Sequence, residues 1–309
     1  MRRAGLALAG AILLAGCAAT HRSGSGAYVA RDYVADGVFT NGVEGPATGP
    51  DGALYVVNFA REGTVGRVAE QPDGRGAARL FVTLPEGSTG NGIRFAADGR
   101  MLVADYTGHR VLAVSPAGGI ATYADLPGAH QPNDIALAPD GIAYASDPDW
   151  KNGSGRIWRI DRKGIARVLE DRMGTANGIE VSPNGRRLYV GESVQRRIWV
   201  YDIRADGALS GKRIFASFAD HGLDGMRCDR DGNLYVTRHG GGTVAILAPT
   251  GAIIREVRLK GRLPSNIAFG GRDGRTVYVT MQDRGAIEAF RTLVPGREFA
   301  GKSLRASVR

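Results

Sequence analysis

Three features are scarce in this sequence of 309 residues: cysteine, long apolar runs, and segments in which apolar residues recur at helical spacing. The formal net charge is +9, yet there is no run of Lys and Arg, no aromatic cluster suited to base stacking and no nucleic-acid-binding motif. The positive charge is therefore expected on a solvated surface, and no nucleic acid is expected as a partner. The lack of helical periodicity indicates an all-β fold.

The first 20 residues have the features of an export signal. Arg2 and Arg3 precede an apolar run over residues 5–14, which is too short to span a bilayer. The Leu-Ala-Gly-Cys sequence at 14–17 resembles the lipobox of bacterial lipoproteins, whose cysteine is lipidated and becomes the first mature residue. The resemblance implies a signal peptide over 1–16, a lipid on Cys17, a tether over 17–26, and a periplasmic protein anchored to a cell-envelope membrane. An ordinary cleaved signal peptide is the alternative.

Only two cysteines are present, Cys17 and Cys228. With Cys17 acylated, Cys228 has no partner, so no intrachain disulfide is expected even in an exported protein. Cys228 falls at an apolar strand position, which favours a buried and inert thiol. Stability therefore has to come from packing, and residues 27–309 are expected to form one domain with a large core.

An Asp-Gly or Asn-Gly pair followed by a run rich in Leu, Tyr and Val recurs six times, at intervals of 42 to 47 residues. The pairs begin at Asp51, Asp98, Asp140, Asn184, Asp231 and Asp273. The fourth repeat contains four short β-prone runs separated by turn residues. Six units of four strands predict a six-bladed β-propeller, whereas a β-sandwich would not explain so regular a period.

The sixth repeat has a weak fourth strand, and residues 27–39 precede the first repeat. We predict that this N-terminal segment supplies the outer strand of the last blade. Such pairing closes the ring and covers an exposed sheet edge.

A carboxylate or an amide lies seven residues before each of the six turn pairs. Because the first strand of each propeller blade lines the central channel, these side chains are expected to surround the axis at similar height. Oxygen donors without His or Cys suit Ca²⁺ better than Zn²⁺ or Cu²⁺. A polar, water-filled tunnel without an ion is the alternative. We call this set the ring residues: Glu44, Asn91, Asn133, Asn177, Asp224 and Asn266.

At these positions the chain resembles the senescence marker protein/gluconolactonase family, also called regucalcin-like. The resemblance spans about residues 40–285 and rests on Val-Glu-Gly-Pro at 43–46, Pro-Asn-Asp at 132–134, Ala-Asn-Gly at 176–178 and Asp-Gly-Met at 224–226. It implies a six-bladed propeller hydrolase in which one divalent cation polarises a lactone or ester carbonyl and a channel carboxylate activates water. Ca²⁺ is expected, with Zn²⁺, Mn²⁺ or Mg²⁺ as alternatives. By this resemblance the metal ligands are Glu44, Asn133, Asn177 and Asp224, with Asp224 also the candidate base.

Three further residues are candidates for substrate binding. Asn91 and Asn266 are in register with the ligands but outside the family's ligand set, so we expect them to bond water or substrate. Gln131 stands where animal members have an arginine that contacts sugar lactones, which puts a gluconolactone-type substrate in doubt. His130 and His221, which precede two candidate ligands by three residues, are either proton shuttles at the channel mouth or solvated loop residues. The role of His239 is left open.

Two other functions fit the same pattern. One is a non-catalytic propeller that binds a partner in the cell envelope, since a fold alone does not fix a function. The other is a phosphotriesterase that uses the same metal site. A monomer is expected, and a loop around Trp150 is either part of a lid or a plain surface loop.

Overall fold

The structure is a computed structural model that describes residues 26–299. These residues form 24 β-strands in six antiparallel sheets of four strands each, and a single turn of 3-10 helix at Arg297–Phe299. The sheets are the blades of a six-bladed β-propeller, so the predicted all-β fold is confirmed. None of the helical structure within residues 26–299 has the length and apolar character needed to cross a bilayer.

The first blade contains β2 (Phe39–Thr48), β3 (Leu54–Phe59), β4 (Thr64–Glu70) and β5 (Gly76–Thr83). The second contains β6 (Gly90–Phe95), β7 (Met101–Asp105), β8 (Arg110–Val114) and β9 (Ile120–Asp125). The third contains β10 (Ile135–Leu137), β11 (Ala143–Asp147), β12 (Gly155–Ile160) and β13 (Ala166–Met173). The fourth blade contains β14 (Ala176–Val181), β15 (Arg187–Glu192), β16 (Arg197–Ile203) and β17 (Leu209–Ser217). The fifth contains β18 (Gly222–Cys228), β19 (Leu234–His239), β20 (Thr243–Leu247) and β21 (Ile253–Arg258). The sixth contains β22 (Pro264–Gly270), β23 (Thr276–Met281), β24 (Ala286–Arg291) and, as its outer strand, β1 (Arg31–Val34).

Burial falls from the inner strand of a blade to its outer strand. Every residue of β22 is buried, whereas in β21 only Val257 is buried. The hydrophobic core lies between adjacent blades: Val57 of the first blade packs in one cluster with Ile93 and Val103 of the second. Inner strands therefore have almost no solvent-facing side, which explains why polar side chains on them are unusual enough to indicate a site.

The ring closes through β1, which pairs antiparallel with β24 and places Arg31 opposite Ala289. Tyr33 and Val34 of this strand are buried, so closure covers apolar surface as well as a sheet edge. The predicted outer strand is confirmed, but it is shorter than residues 27–39. A turn at residues 36–37, with Gly37 at φ +73°, redirects the chain into the first blade.

The predicted signal peptide, Cys17 and all of the tether except Gly26 lie outside the described residues. Cys228 is buried and unpaired, and burial raises the pKa of its thiol well above the usual value. The expectation of an inert thiol agrees with this environment.

Candidate active site

A cavity of about 630 Å³ opens at the end of the channel where the inner strands begin. Five of the six ring residues line it, all except Asn266. Asn266 is completely buried, and it contacts Glu44. The predicted ring therefore converges on one cavity, with five members facing it and one lying behind.

Irregular strand pairing aims these side chains at the axis. The pairing of the inner strands shifts register around Glu44 and between residues 90 and 93, 176 and 179, 223 and 226, and 264 and 267. Each interval contains a ring residue, and a β-bulge redirects the side chain it carries. Glycine follows four of the six ring residues because the inner strands are too close there for a Cβ: a Cβ at position 178 would lie 2.2 Å from the backbone oxygen of Asp224.

Four buried side-chain oxygens at the cavity have no hydrogen-bond partner among the described residues. They are the Oδ1 atoms of Asn91, Asn133, Asn177 and Asp224. Buried polar atoms are normally bonded, and an unsatisfied one costs about 1 to 3 kcal/mol. With Asp224 ionised all four atoms are acceptors, so together they favour a bound species that is positively charged or rich in hydrogen-bond donors.

The orientation of Asn177 follows from its neighbours. Ser193 donates its hydroxyl proton to the backbone oxygen of Leu223, which leaves Ser193 Oγ as an acceptor for Asn177 Nδ2 at 3.0 Å. Ser193 therefore fixes the amide nitrogen of Asn177, and Oδ1 of Asn177 is the atom that faces the cavity.

Glu44 is held in place by two donors. Its Oε2 accepts hydrogen bonds from the backbone N–H of Gly45 at 2.7 Å and from Nδ2 of Asn266 at 2.9 Å. Oδ1 of Asn266 accepts the backbone N–H of Ile267 at 2.8 Å. Both ends of the Asn266 amide are bonded to the protein, so the structure places Asn266 as support for Glu44, and its predicted contact with substrate stays a prediction.

The two carboxylates among the ring residues lack an ion-pair partner. Neither Glu44 nor Asp224 forms an ion pair with a residue in the described range 26–299. Burial, helped by the nearby charge of Asp134, raises the pKa of Glu44 to about 7. Burial is the main cause that raises the pKa of Asp224 well above its usual value, and the charge of Glu44 adds to it. Each carboxylate disfavours ionisation of the other, and a cation between them would relieve this.

Asp134, next to Asn133, is completely buried and has a different environment. It lies 3.2 Å from Arg94 Nη1 and 3.2 Å from Arg227 Nη1. Burial alone would raise the pKa of Asp134, but the two guanidinium groups outweigh it and the pKa is lowered. Asp134 is therefore a charged structural residue, whereas Glu44 and Asp224 are available to a ligand.

The donor set fits a hard divalent cation. It combines two carboxylates with amide oxygens, the ligands that Ca²⁺ and Mg²⁺ take in proteins. Within residues 26–299 no group of three or more His, Cys, Asp or Glu residues could hold a metal, so any site here depends on the asparagine oxygens. A zinc site of the usual His and Cys composition does not match these residues.

The other predicted residues are placed as follows. Gln131 and His130 lie outside the cavity lining, and both of their backbone N–H groups donate to Asp147 Oδ1, at 2.6 and 2.8 Å. His221 and His239 line the cavity. Nε2 of His239 is 3.1 Å from Oε1 of Gln282, another lining residue.

Several lining residues escaped the sequence analysis because they lie at the end of the second strand of a blade or in the loop that follows it. Asn58 is one: its φ is +64°, and its Nδ2 donates to the backbone oxygen of Gly42 at 2.6 Å. A spacing search in register with the second strands would have found such positions. Trp150 is 43% exposed and contributes an apolar wall, while its part in a lid stays a prediction. Other wall and rim residues include Glu62, Tyr106, Val194, Arg196 and Leu223.

The fold and the cavity define a class: six-bladed β-propellers with an oxygen-donor site at one end of the channel. Residues 44–283 match the family described as SMP-30/Gluconolactonase/LRE-like region, and the chain belongs to this family. The resemblance stated from the motifs is thus confirmed.

Curated relatives agree with that assignment, and a solved structure agrees with the fold. The chain is 27% identical over 217 residues to a gluconolactonase of Zymomonas mobilis, a match that covers 62% of this chain and 60% of the relative. It is 30% identical over 154 residues to a 6-deoxy-6-sulfogluconolactonase of Pseudomonas putida, which covers 48% of this chain and 53% of the relative. The matches thus span only about half to 60% of these relatives. A calcium-binding protein, regucalcin, from Agrobacterium tumefaciens superposes with a TM-score of 0.73 at 23% identity, covering 86% of this chain and 95% of that one.

Proposed function

We propose that the protein is a divalent-metal-dependent hydrolase of a lactone or a related carboxylic ester. The observation that carries the proposal is the set of four buried, unpartnered oxygens that face one cavity together with Glu44. Membership of a family with relatives named gluconolactonase and 6-deoxy-6-sulfogluconolactonase supports the class of reaction. A cavity of about 630 Å³ has the size expected for a small-molecule substrate.

The residues that would hold the cation are Glu44, Asn133, Asn177 and Asp224. Their chemistry favours Ca²⁺, and the regucalcin relative is described as calcium-binding. When bound, a divalent cation supplies a Lewis acid that polarises a carbonyl and stabilises negative charge on its oxygen. The supporting contacts, from Asn266 to Glu44 and from Ser193 to Asn177, keep the donor oxygens turned toward the cavity.

Asp224 is assigned the role of general base. Its Oδ1 has no partner among the described residues and Asp224 lines the cavity, so this oxygen could accept a proton from water there. In the proposed reaction Asp224 takes a proton from water while the water oxygen bonds to the carbonyl carbon. The ring carbon–oxygen bond then breaks, and the proton passes to the leaving alkoxide to give a hydroxy acid. Asn91 Oδ1 can accept a hydrogen bond from a substrate hydroxyl.

The test compares Asp224→Asn and Glu44→Gln with the parent on aldonolactones, acyl lactones, aryl esters and a phosphotriester, at rising Ca²⁺. Asp224→Asn is expected to lower turnover by about 100-fold or more at any Ca²⁺ concentration, because the base is lost. Glu44→Gln is expected to weaken Ca²⁺ binding and to recover part of its activity in excess Ca²⁺. Asp231→Asn, at an exposed turn, is the matched control.

Two other results would each favour a different function. Turnover of the phosphotriester alone would replace the lactonase assignment with a phosphotriesterase. Absence of turnover with every substrate, combined with unchanged Ca²⁺ affinity in both carboxylate variants, would favour the non-catalytic binding module and remove the basis of the enzyme assignment.

We also propose that the chain is anchored in the cell envelope through a lipid on Cys17 and faces the periplasm. The proposal rests on the Leu-Ala-Gly-Cys sequence after an apolar run. Mass spectrometry of the native protein is expected to find an acylated N-terminal Cys17, which a Cys17→Ser substitution abolishes. An unmodified N-terminus at another residue would refute the anchor.

A further inference from the structure

A second cavity, of about 590 Å³, lies at the opposite end of the channel, where the inner strands finish. Arginine dominates its charged lining: four arginines face it against one carboxylate, that of Glu298. Its walls are otherwise largely apolar. The arginines are Arg94, Arg100, Arg227 and Arg297, and the apolar wall includes Phe95, Leu102, Leu137, Phe269 and Phe299.

Two of these arginines are buried at the floor of the cavity, Arg94 at 5% and Arg227 at 2% exposure. Burial, with the neighbouring charge of Arg227, lowers the pKa of Arg94 to about 10, so Arg94 stays protonated at neutral pH. Asp134 lies between the two guanidinium groups and neutralises part of their charge. Glu180 Oε2 also lies 3.7 Å from Arg94 Nη2, so two buried carboxylates face the two guanidinium groups, and the case for a bound anion rests on the hydrogen-bond donors that these carboxylates leave unused.

Hydrogen bonding also leaves donors unused there. Nη1 of Arg227 donates hydrogen bonds to Asp134 and to the backbone oxygen of Met226, but Nη2 has no partner among residues 26–299. Nε of Arg94 is likewise buried and without a partner in that range. A buried charged donor without an acceptor is costly, and an oxyanion supplies the acceptors that are missing.

We propose that this cavity binds a small carboxylate that carries an apolar chain or ring, with the carboxylate on the Arg94 and Arg227 floor and the apolar part against the aromatic wall. The site is separate from the candidate active site, because the two cavities share no lining residue. It therefore does not depend on the proposed hydrolase activity.

The test measures binding of acetate, hexanoate and hexanol to the purified full chain by titration calorimetry. The protein is first dialysed free of metal, so that a carboxylate cannot bind through a cation at the other end of the channel. Hexanoate is expected to bind more than about tenfold more tightly than acetate, which lacks the chain, or hexanol, which lacks the charge. Equal binding of hexanol and hexanoate, or no saturable binding of hexanoate, would overturn the proposal.

Two variants locate the site. Arg227→Gln removes the unpaired donor and is expected to weaken hexanoate binding by more than about tenfold. Ala97→Trp places a bulky ring at the exposed rim without touching the arginines and is expected to block entry. Arg230→Gln, which changes the charge equally at an exposed site, should bind hexanoate like the parent. If Arg227→Gln does not fold, Ala97→Trp decides; parental binding in the variants that fold would refute the site.

Discussion

Nδ2 of Asn266 donates a hydrogen bond of 2.9 Å to Oε2 of Glu44, so the last blade fixes the carboxylate contributed by the first. The two residues are 222 positions apart in sequence and meet only because the ring is closed. The orientation of a candidate metal ligand is therefore coupled to closure of the propeller.

The first prediction tests this support. Asn266→Ala leaves Glu44 with the single donor Gly45 and is expected to lower Ca²⁺ affinity by about 10- to 100-fold, the range seen when partners of metal ligands are removed. Turnover at saturating Ca²⁺ should stay near the parental value, because the ligands themselves remain. Calorimetry with Ca²⁺ and steady-state kinetics separate the two effects. Reduced turnover at saturating Ca²⁺ with unchanged affinity would instead support the predicted contact of Asn266 with substrate.

The second prediction ranks the asparagines. Asn133→Ala and Asn177→Ala each delete a proposed metal ligand, and both are expected to weaken Ca²⁺ binding more than Asn91→Ala does. The ranking is informative because all three Oδ1 atoms are buried and unpartnered in the described chain, so burial alone would predict equal effects. Calorimetric titration with thermal melts as a folding check gives the answer. Equal losses in all three variants would add Asn91 to the ligand set.

The third prediction concerns pH in the metal-free protein. The pKa of Glu44 is raised from an ordinary 4.5 to about 7, so the folded state binds this proton more tightly than the unfolded state does. The resulting stabilisation is complete below pH 4.5 and is lost as pH rises through about 7, a change on the order of 3 kcal/mol. Glu44→Gln cannot ionise at this position, so its free energy of unfolding should fall less over that range. Urea melts of both proteins at pH 5 and pH 8 measure the difference, and identical pH dependence would contradict the assignment.

The fourth prediction concerns closure. A chain that begins at residue 36 lacks β1, exposes the edge of β24 and removes the buried side chains of Tyr33 and Val34. We expect it to aggregate or to unfold at markedly lower temperature, whereas a chain that begins at residue 26 should melt like the full-length protein. Light scattering and thermal melts test both. A stable monomer beginning at residue 36 would show that β1 is dispensable.

Much of this architecture could be predicted because the period of the sequence is also the period of the structure. The turn pairs recur once per blade, and the ring residues precede them at constant distance, so Glu44 and Asp224 could be placed near one axis without coordinates. Closure by the N-terminal strand was predictable from the missing strand in the sixth repeat.

Other features depend on contacts that the period does not contain. Which ring residue faces the cavity and which supports another depends on the bulges, and nothing in the spacing separates Asn266 from Asn91. The clamp of Arg94 and Arg227 on Asp134 joins residues of three blades, with 40 and 93 positions between the partners. Long-range ion pairs of this kind leave no periodic signal, and the second cavity could not be predicted for the same reason.

The antiparallel pairing of β1 also sets where the chain enters the propeller. The backbone N–H of Tyr28 donates to the backbone oxygen of Arg291, at the end of β24. That end of the strand belongs to the face opposite the candidate active site, because successive strands in a blade run in alternate directions. A tether that leads into Gly26 would hold the molecule by this far face and turn the mouth of the active-site cavity outward. Substrate would then approach from open solution, while the arginine-floored cavity would face the surface that carries the anchor.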